Sequence, residues 1–103
     1  MITMEPVVIN GTMFTAVSVQ LPKTNFMAVA NDKGYIACGA LDVALLNERL
    51  GSRRIIAGRA VSVRTIQELL EAPLESVTKE AETLGIVPGM KGTDALAKMA
   101  AAP

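Results

Sequence analysis

The stretch Phe26-Met27-Ala28-Val29-Ala30, Asn31-Asp32-Lys33-Gly34, Tyr35-Ile36-Ala37-Cys38, Gly39-Ala40-Leu41-Asp42 decides the fold. It reads in that order as strand, tight turn, strand and helix start. The turn suits a type I geometry closed by Gly34 in the left-handed region, the bulged hairpin connection. From Ala40 to Leu50 the chain is apolar over most of a helical circumference. Leu41 and Leu45 share one side, and Val43, Leu46 and Leu50 another. A helix of that kind is covered on more than one side, either at the centre of the fold or in a subunit interface. Asp42 in its first turn complements the helix dipole, and Gly51 suits the position just past its end.

Upstream, Val7-Val8-Ile9 is a short apolar strand followed by Asn10-Gly11, a strong hairpin signal because a type I′ turn needs positive φ at both central positions. The return strand runs from Thr12 to Leu21, with Val17, Val19 and Leu21 on one face and Ser18 and Gln20 on the other. Pro22 ends it. Downstream, Arg53 to Arg64 reads as a fifth strand with a candidate bulge at Gly58. If that strand is regular, Arg59 shares a face with Ala57 and Val61 and needs a partner; a bulge would turn it to the other side.

Thr65 is a candidate N-cap, with Glu68 completing a capping box. Pro73 suits the first turn of a further helix, and Leu74, Val77, Ala81 and Leu84 form an amphipathic stripe ending at Gly85. Thr93 is a candidate cap for a last helix to Met99, and the tail from Ala100 is expected to fray. The expected architecture is α+β: an antiparallel β-meander of two hairpins plus a fifth strand, packed with two to four helices, as a single domain over residues 1–103.

Composition narrows the function. Half of the 103 residues are hydrophobic but only 3% are aromatic, so the core is aliphatic. A small domain this apolar is expected to hide surface in a homo-oligomer. Formal net charge is zero, which argues against general electrostatic binding to nucleic acid or to an anionic membrane surface. The single cysteine fits a reducing cytoplasm, and neither a secretory signal nor a membrane-spanning run is visible. With no histidine, Ser-His and Cys-His nucleophile pairs within one chain are excluded. The commonest ligands of catalytic zinc are missing as well, so neither metal nor cofactor is expected.

The candidate chemistry has two centres. Cys38 precedes a helix start, where backbone amides stabilise a thiolate, although Asp42 opposes a second negative charge there. The competing reading makes Cys38 a core residue. Gly39 at the same junction allows close approach of a ligand or simply permits the turn. All five arginines lie between Arg49 and Arg64. Arg59 and Arg64 are candidates for gripping a carboxylate or phosphate; the competing reading pairs them with Asp42 or with the acidic stretch Glu68 to Glu82. Thr24, Asn25 and Lys33 are polar loop residues placed where sites commonly form.

At Leu21-Pro22-Lys23-Thr24-Asn25-Phe26-Met27-Ala28-Val29-Ala30-Asn31-Asp32, Cys38-Gly39-Ala40-Leu41-Asp42 and Ala57-Gly58-Arg59-Ala60-Val61, the chain resembles the YunC family of small bacterial and archaeal proteins. The likeness continues through Ala72-Pro73-Leu74-Glu75-Ser76-Val77 and Leu84-Gly85-Ile86. The resemblance implies a compact, soluble α+β fold and carries no catalytic residue, because the family is a domain of unknown function. Three hypotheses follow: an oligomeric binding module for an anionic metabolite or protein partner, a histidine-free enzyme with Cys38 as nucleophile, and a structural subunit that acts by assembly.

Overall fold

A computed structural model describes residues 1–39, 43–48 and 51–102. Its elements in chain order are strands β1 (Ile2–Ile9), β2 (Thr12–Leu21), β3 (Thr24–Ala30) and β4 (Tyr35–Ala37), helix α1 (Val43–Glu48), β5 (Ala57–Arg59), α2 (Ile66–Glu71), β6 (Ser76–Val77), α3 (Lys79–Thr83) and α4 (Gly92–Ala100). The strands form one sheet in sequence order, antiparallel except for the parallel pair β4–β5. The fold is the expected α+β meander of two hairpins, with one short strand beyond the fifth. The proposed helix from Ala40 to Leu50 is represented by α1; Ala40, Leu41, Asp42, Arg49 and Leu50 lie outside the described residues.

The turn at Asn10-Gly11 forms as expected, with φ of 50° and 80°. β1 extends well beyond Val7–Ile9, and Pro6 is accommodated because β1 is the edge strand. At the second hairpin, the Asn31 Oδ1 accepts hydrogen bonds from the amides of Lys33 (2.9 Å) and Gly34 (3.2 Å). Gly34 does not adopt the positive φ expected of it. It is needed there for space, since a Cβ would come within 2.6 Å of the Ile56 carbonyl oxygen.

The proposed strand from Arg53 to Arg64 shrinks to Ala57–Arg59. A 3-10 turn occupies Gly51–Arg53, and positive φ at Arg54 and Ser62 breaks the chain on either side. Gly58 is no bulge: it pairs in register with Ile36 on one side and Val77 on the other. Its lack of a side chain lets Leu74 pack against the strand, where a Cβ would approach Leu74 Cδ1 to 2.7 Å.

Thr65 caps α2 through the Glu68 amide, and the Glu68 carboxylate reaches back to the Arg64 amide at 2.7 Å. Contrary to expectation, no helix starts at Pro73. Pro73 bridges to Lys91, and Ser76–Val77 pairs with β5 before Thr78 caps α3. The stripe residues Leu74, Val77 and Ala81 are nevertheless buried. Thr93 lies inside α4, which starts at Gly92 with Lys91 as N-cap residue. The tail does not fray through residue 102: Ala102 is buried and its carbonyl accepts a hydrogen bond from the Lys33 Nζ.

The main core lies on the inner face of the sheet. Phe14, Met27, Val29 and Ile36 pack there with Leu69, Leu74, Ile86, Leu96 and Met99. Each large aliphatic residue contributes about 1.5–3 kcal/mol on burial. α2 packs against β3 and α4 against β4 and β1. The cross-strand register places the alternate set on the outer face: Met4, Val17 and Ala28 in one row, and Ile2, Val19 and Phe26 in the next. Val17, Val19 and Leu21 thus point away from the main core, while Phe14 and Ala16 point into it. At the β4–β5 end, Ala37 and Ala57 of this outer face are fully buried, and α1, with buried Val43 and Leu46, packs on β5.

Thr78 joins sheet and helix. Its buried Oγ1 accepts from the Ala57 amide of β5 (3.1 Å) and from the Ala81 amide of α3 (3.3 Å). Thr78→Val should destabilise the fold by about 1–3 kcal/mol in urea denaturation, because two buried donors lose their acceptor. Thr78→Ser, which keeps the oxygen, should lose clearly less.

Candidate functional site

A recess of about 270 Å³ opens on the inner face, where the first three strands meet the start of α2. Its polar lining is Thr3 and Glu5 from β1, Ser18 and Gln20 from β2, Asn25 from β3, and Arg64 and Thr65 ahead of α2. Ala16, Met27 and Ile66 supply its apolar part. The arrangement follows from strand alternation. Residues at period two share a face, so Thr3 and Glu5 line up with Ser18 and with Ala16 through the pairs Thr3–Ser18 and Glu5–Ala16. The capping of α2 by Thr65 and Glu68 fixes the backbone at Arg64 beside this wall.

The recess gathers two of the residues singled out in the sequence, Asn25 and Arg64. Thr24 is adjacent to Asn25 but exposed on the opposite face, paired with Leu21. Lys33 sits at the β3–β4 turn, where it borders a shallow depression with Arg53, Arg54 and Asp32. Asp42 lies outside the described residues.

Arg59 is engaged structurally. Its Nη1 is 2.8 Å from Glu75 Oε1, and its Nε and Nη2 donate to the Gly39 carbonyl at 3.2 and 3.0 Å. Gly39 and Arg59 thus brace the exit of β4 against the approach to β6. This is the pairing with the acidic stretch that the sequence offered as the alternative to anion binding. Arg54 likewise approaches Glu80, at 3.8 Å.

Cys38 lies behind the recess wall, only 5% exposed. Its Sγ accepts from the Met27 amide at 3.4 Å and faces the Asn25 carbonyl at 3.8 Å. The thiol therefore holds the backbone of the same two residues whose side chains line the recess. Thr3, Glu5, Ser18, Gln20 and Thr65 are lining residues that sequence reading missed. The signal for four of them was present as polar residues at period two, Thr3 with Glu5 and Ser18 with Gln20.

The chain is a small α+β protein whose described residues include no group of three His, Cys, Asp or Glu side chains placed to hold a metal. A family model described as "Domain of unknown function (DUF1805)" matches residues 37–99, and the chain belongs to this family, which includes YunC. It is 69% identical to the "Uncharacterized protein YunC" of Bacillus subtilis (strain 168), over 96% of this chain and 98% of that one. Its fold matches the crystal structure of a protein of unknown function, TA1206 from Thermoplasma acidophilum. The TM-score is 0.87 at 26% identity, covering 96% of this chain and 93% of that one. No helix among the described residues is long and apolar enough to cross a membrane.

The Arg59 brace makes a pH prediction. The Ser76 hydroxyl and then the Arg59 guanidinium donate to Glu75 and hold its carboxyl below the ordinary value of 4.5. A depressed carboxyl adds stability above its unfolded pKa and loses it as pH falls through the folded value. In denaturant titrations, wild type should therefore exceed Glu75→Gln near neutrality, with the gap closing on acidification below about 4.5. A gap that does not change with pH would contradict this account of Glu75.

Proposed function

We propose that the chain is a small binding module whose recess takes a compact molecule bearing a carboxylate or phosphate. Support comes from Arg64 and Glu5 bordering the same polar recess. Arg64 supplies a permanently charged, bidentate donor for the anionic group. Glu5 and the amide side chains of Gln20 and Asn25 accept from donors elsewhere on the ligand, while Ile66 offers a short apolar surface. A ligand with an anionic end and a donor-bearing end fits this lining better than a plain anion, because Glu5 opposes a second negative charge. The arginine available for this is Arg64 and not Arg59, whose donors are engaged by Glu75 and Gly39.

Thermal-shift screening of small amino acids, hydroxy acids and sugar phosphates tests the reading. A ligand present at a hundred times its Kd should stabilise the protein by about 2.7 kcal/mol. Arg64→Ala should abolish the shift, and Asn25→Ala should weaken it. A ligand that stabilises wild type and Arg64→Ala equally would refute the assignment of the recess, as would a panel in which no anion shifts the melting temperature.

A further inference from the structure

The outer face of β1 and β2 carries the wrong polarity for a surface facing water. On β1 the polar side chains of Thr3 and Glu5 point to the recess side, while Ile2, Met4 and Val8 point outward with 68%, 66% and 63% of their surface exposed. On β2, Met13 and Leu21 are exposed on the same side, with Val17 between them. No charged residue interrupts the outward positions of β1, β2 and β3.

We infer that this face is the site at which a second copy of the chain docks, sheet against sheet. The extent of the face suits this role. Ile2, Met4, Val8, Met13 and Leu21 stand 49–68% exposed on it across two adjacent strands, an apolar stretch of the kind that each partner of a standard stable interface buries, ~800 Å² per side. The total accessible surface, 6079 Å², is about a tenth above what mass scaling gives a monomer of this size.

Its charge is self-complementary as well. A two-fold pairing brings a patch against itself, so charged groups near the axis meet their own sign. An uncharged sheet face escapes this repulsion, and two such faces interdigitate as the layers of a sandwich do. Edge-to-edge pairing through β1 is less suited, because Pro6 lacks the amide needed in mid-strand. The interface so defined lies on the strands and not on α1. It is separate from the recess, which opens on the other side of the sheet, so failure of ligand binding there leaves this inference standing.

Sedimentation equilibrium of the full chain at micromolar concentrations tests it. Wild type should sediment at twice the 10.8 kDa chain mass. Val17→Glu should raise the dissociation constant at least about a hundredfold, since it buries an unpaired charge at the interface, while far-UV circular dichroism stays unchanged. Met4→Glu, at a position already two-thirds exposed in the single chain, gives the same reading if Val17→Glu fails to fold. A monomeric wild type overturns the inference, and binding of that monomer to phosphatidylcholine vesicles would assign the face to lipid. A folded glutamate variant that dimerises as tightly as wild type overturns it too.

Discussion

A sheet has two faces, and the described helices lie on one of them and on only a corner of the other. α2 and α4 cover the inner face of the meander, while α1 packs at β5. The first three strands carry a mostly apolar outer face that these helices leave in contact with solvent. The apolar content is thus spent on two surfaces, one of them completed within the chain. Both the recess and the outer patch follow from this layout, because β1 and β2 present a polar inner wall beside the start of α2, backed by an apolar outer one.

The covered part is held by close backbone approach. Gly58 lets Leu74 lie directly on β5, and Gly92 lets α4 start against the end of α2, where a Cβ would stand 2.6 Å from the Leu69 carbonyl oxygen. With an almost aromatic-free core, such approaches replace bulk with contact, in line with the close packing of protein interiors. Thr78, the Arg59–Glu75 pair and the Asn31 turn then secure the junctions.

Much of the strand order was legible. Asn10-Gly11 announced its turn because few residue pairs tolerate two positive φ values, and Thr65 with Glu68 announced α2 through local capping chemistry. The misreadings arose where local pattern and tertiary pairing disagreed. Leu74, Val77, Ala81 and Leu84 have helical spacing, but Ser76–Val77 is held as a strand by β5, and a two-residue strand has no period to detect. Arg54 and Ser62 take positive φ although neither residue type signals it. The face of β2 that turns inward was equally hidden, because Phe14 and Ala16 on one side and Val17 and Val19 on the other are both apolar. The recess was half visible: Asn25 and Arg64 stood out singly, but only the strand register brings them to Glu5, Ser18 and Gln20.

The most direct measurement uses the methionines as reporters of which sheet face is covered. Their methyl NMR signals would be recorded with a soluble paramagnetic relaxation agent. Met27 and Met99 are buried within the chain, Met1 is exposed at the terminus, and Met4 and Met13 lie on the outer face. If a second copy covers that face, Met4 and Met13 will be shielded nearly as well as Met27 and Met99 while Met1 broadens. Broadening of Met4 and Met13 together with Met1, at concentrations where the dimer should prevail, would contradict the account.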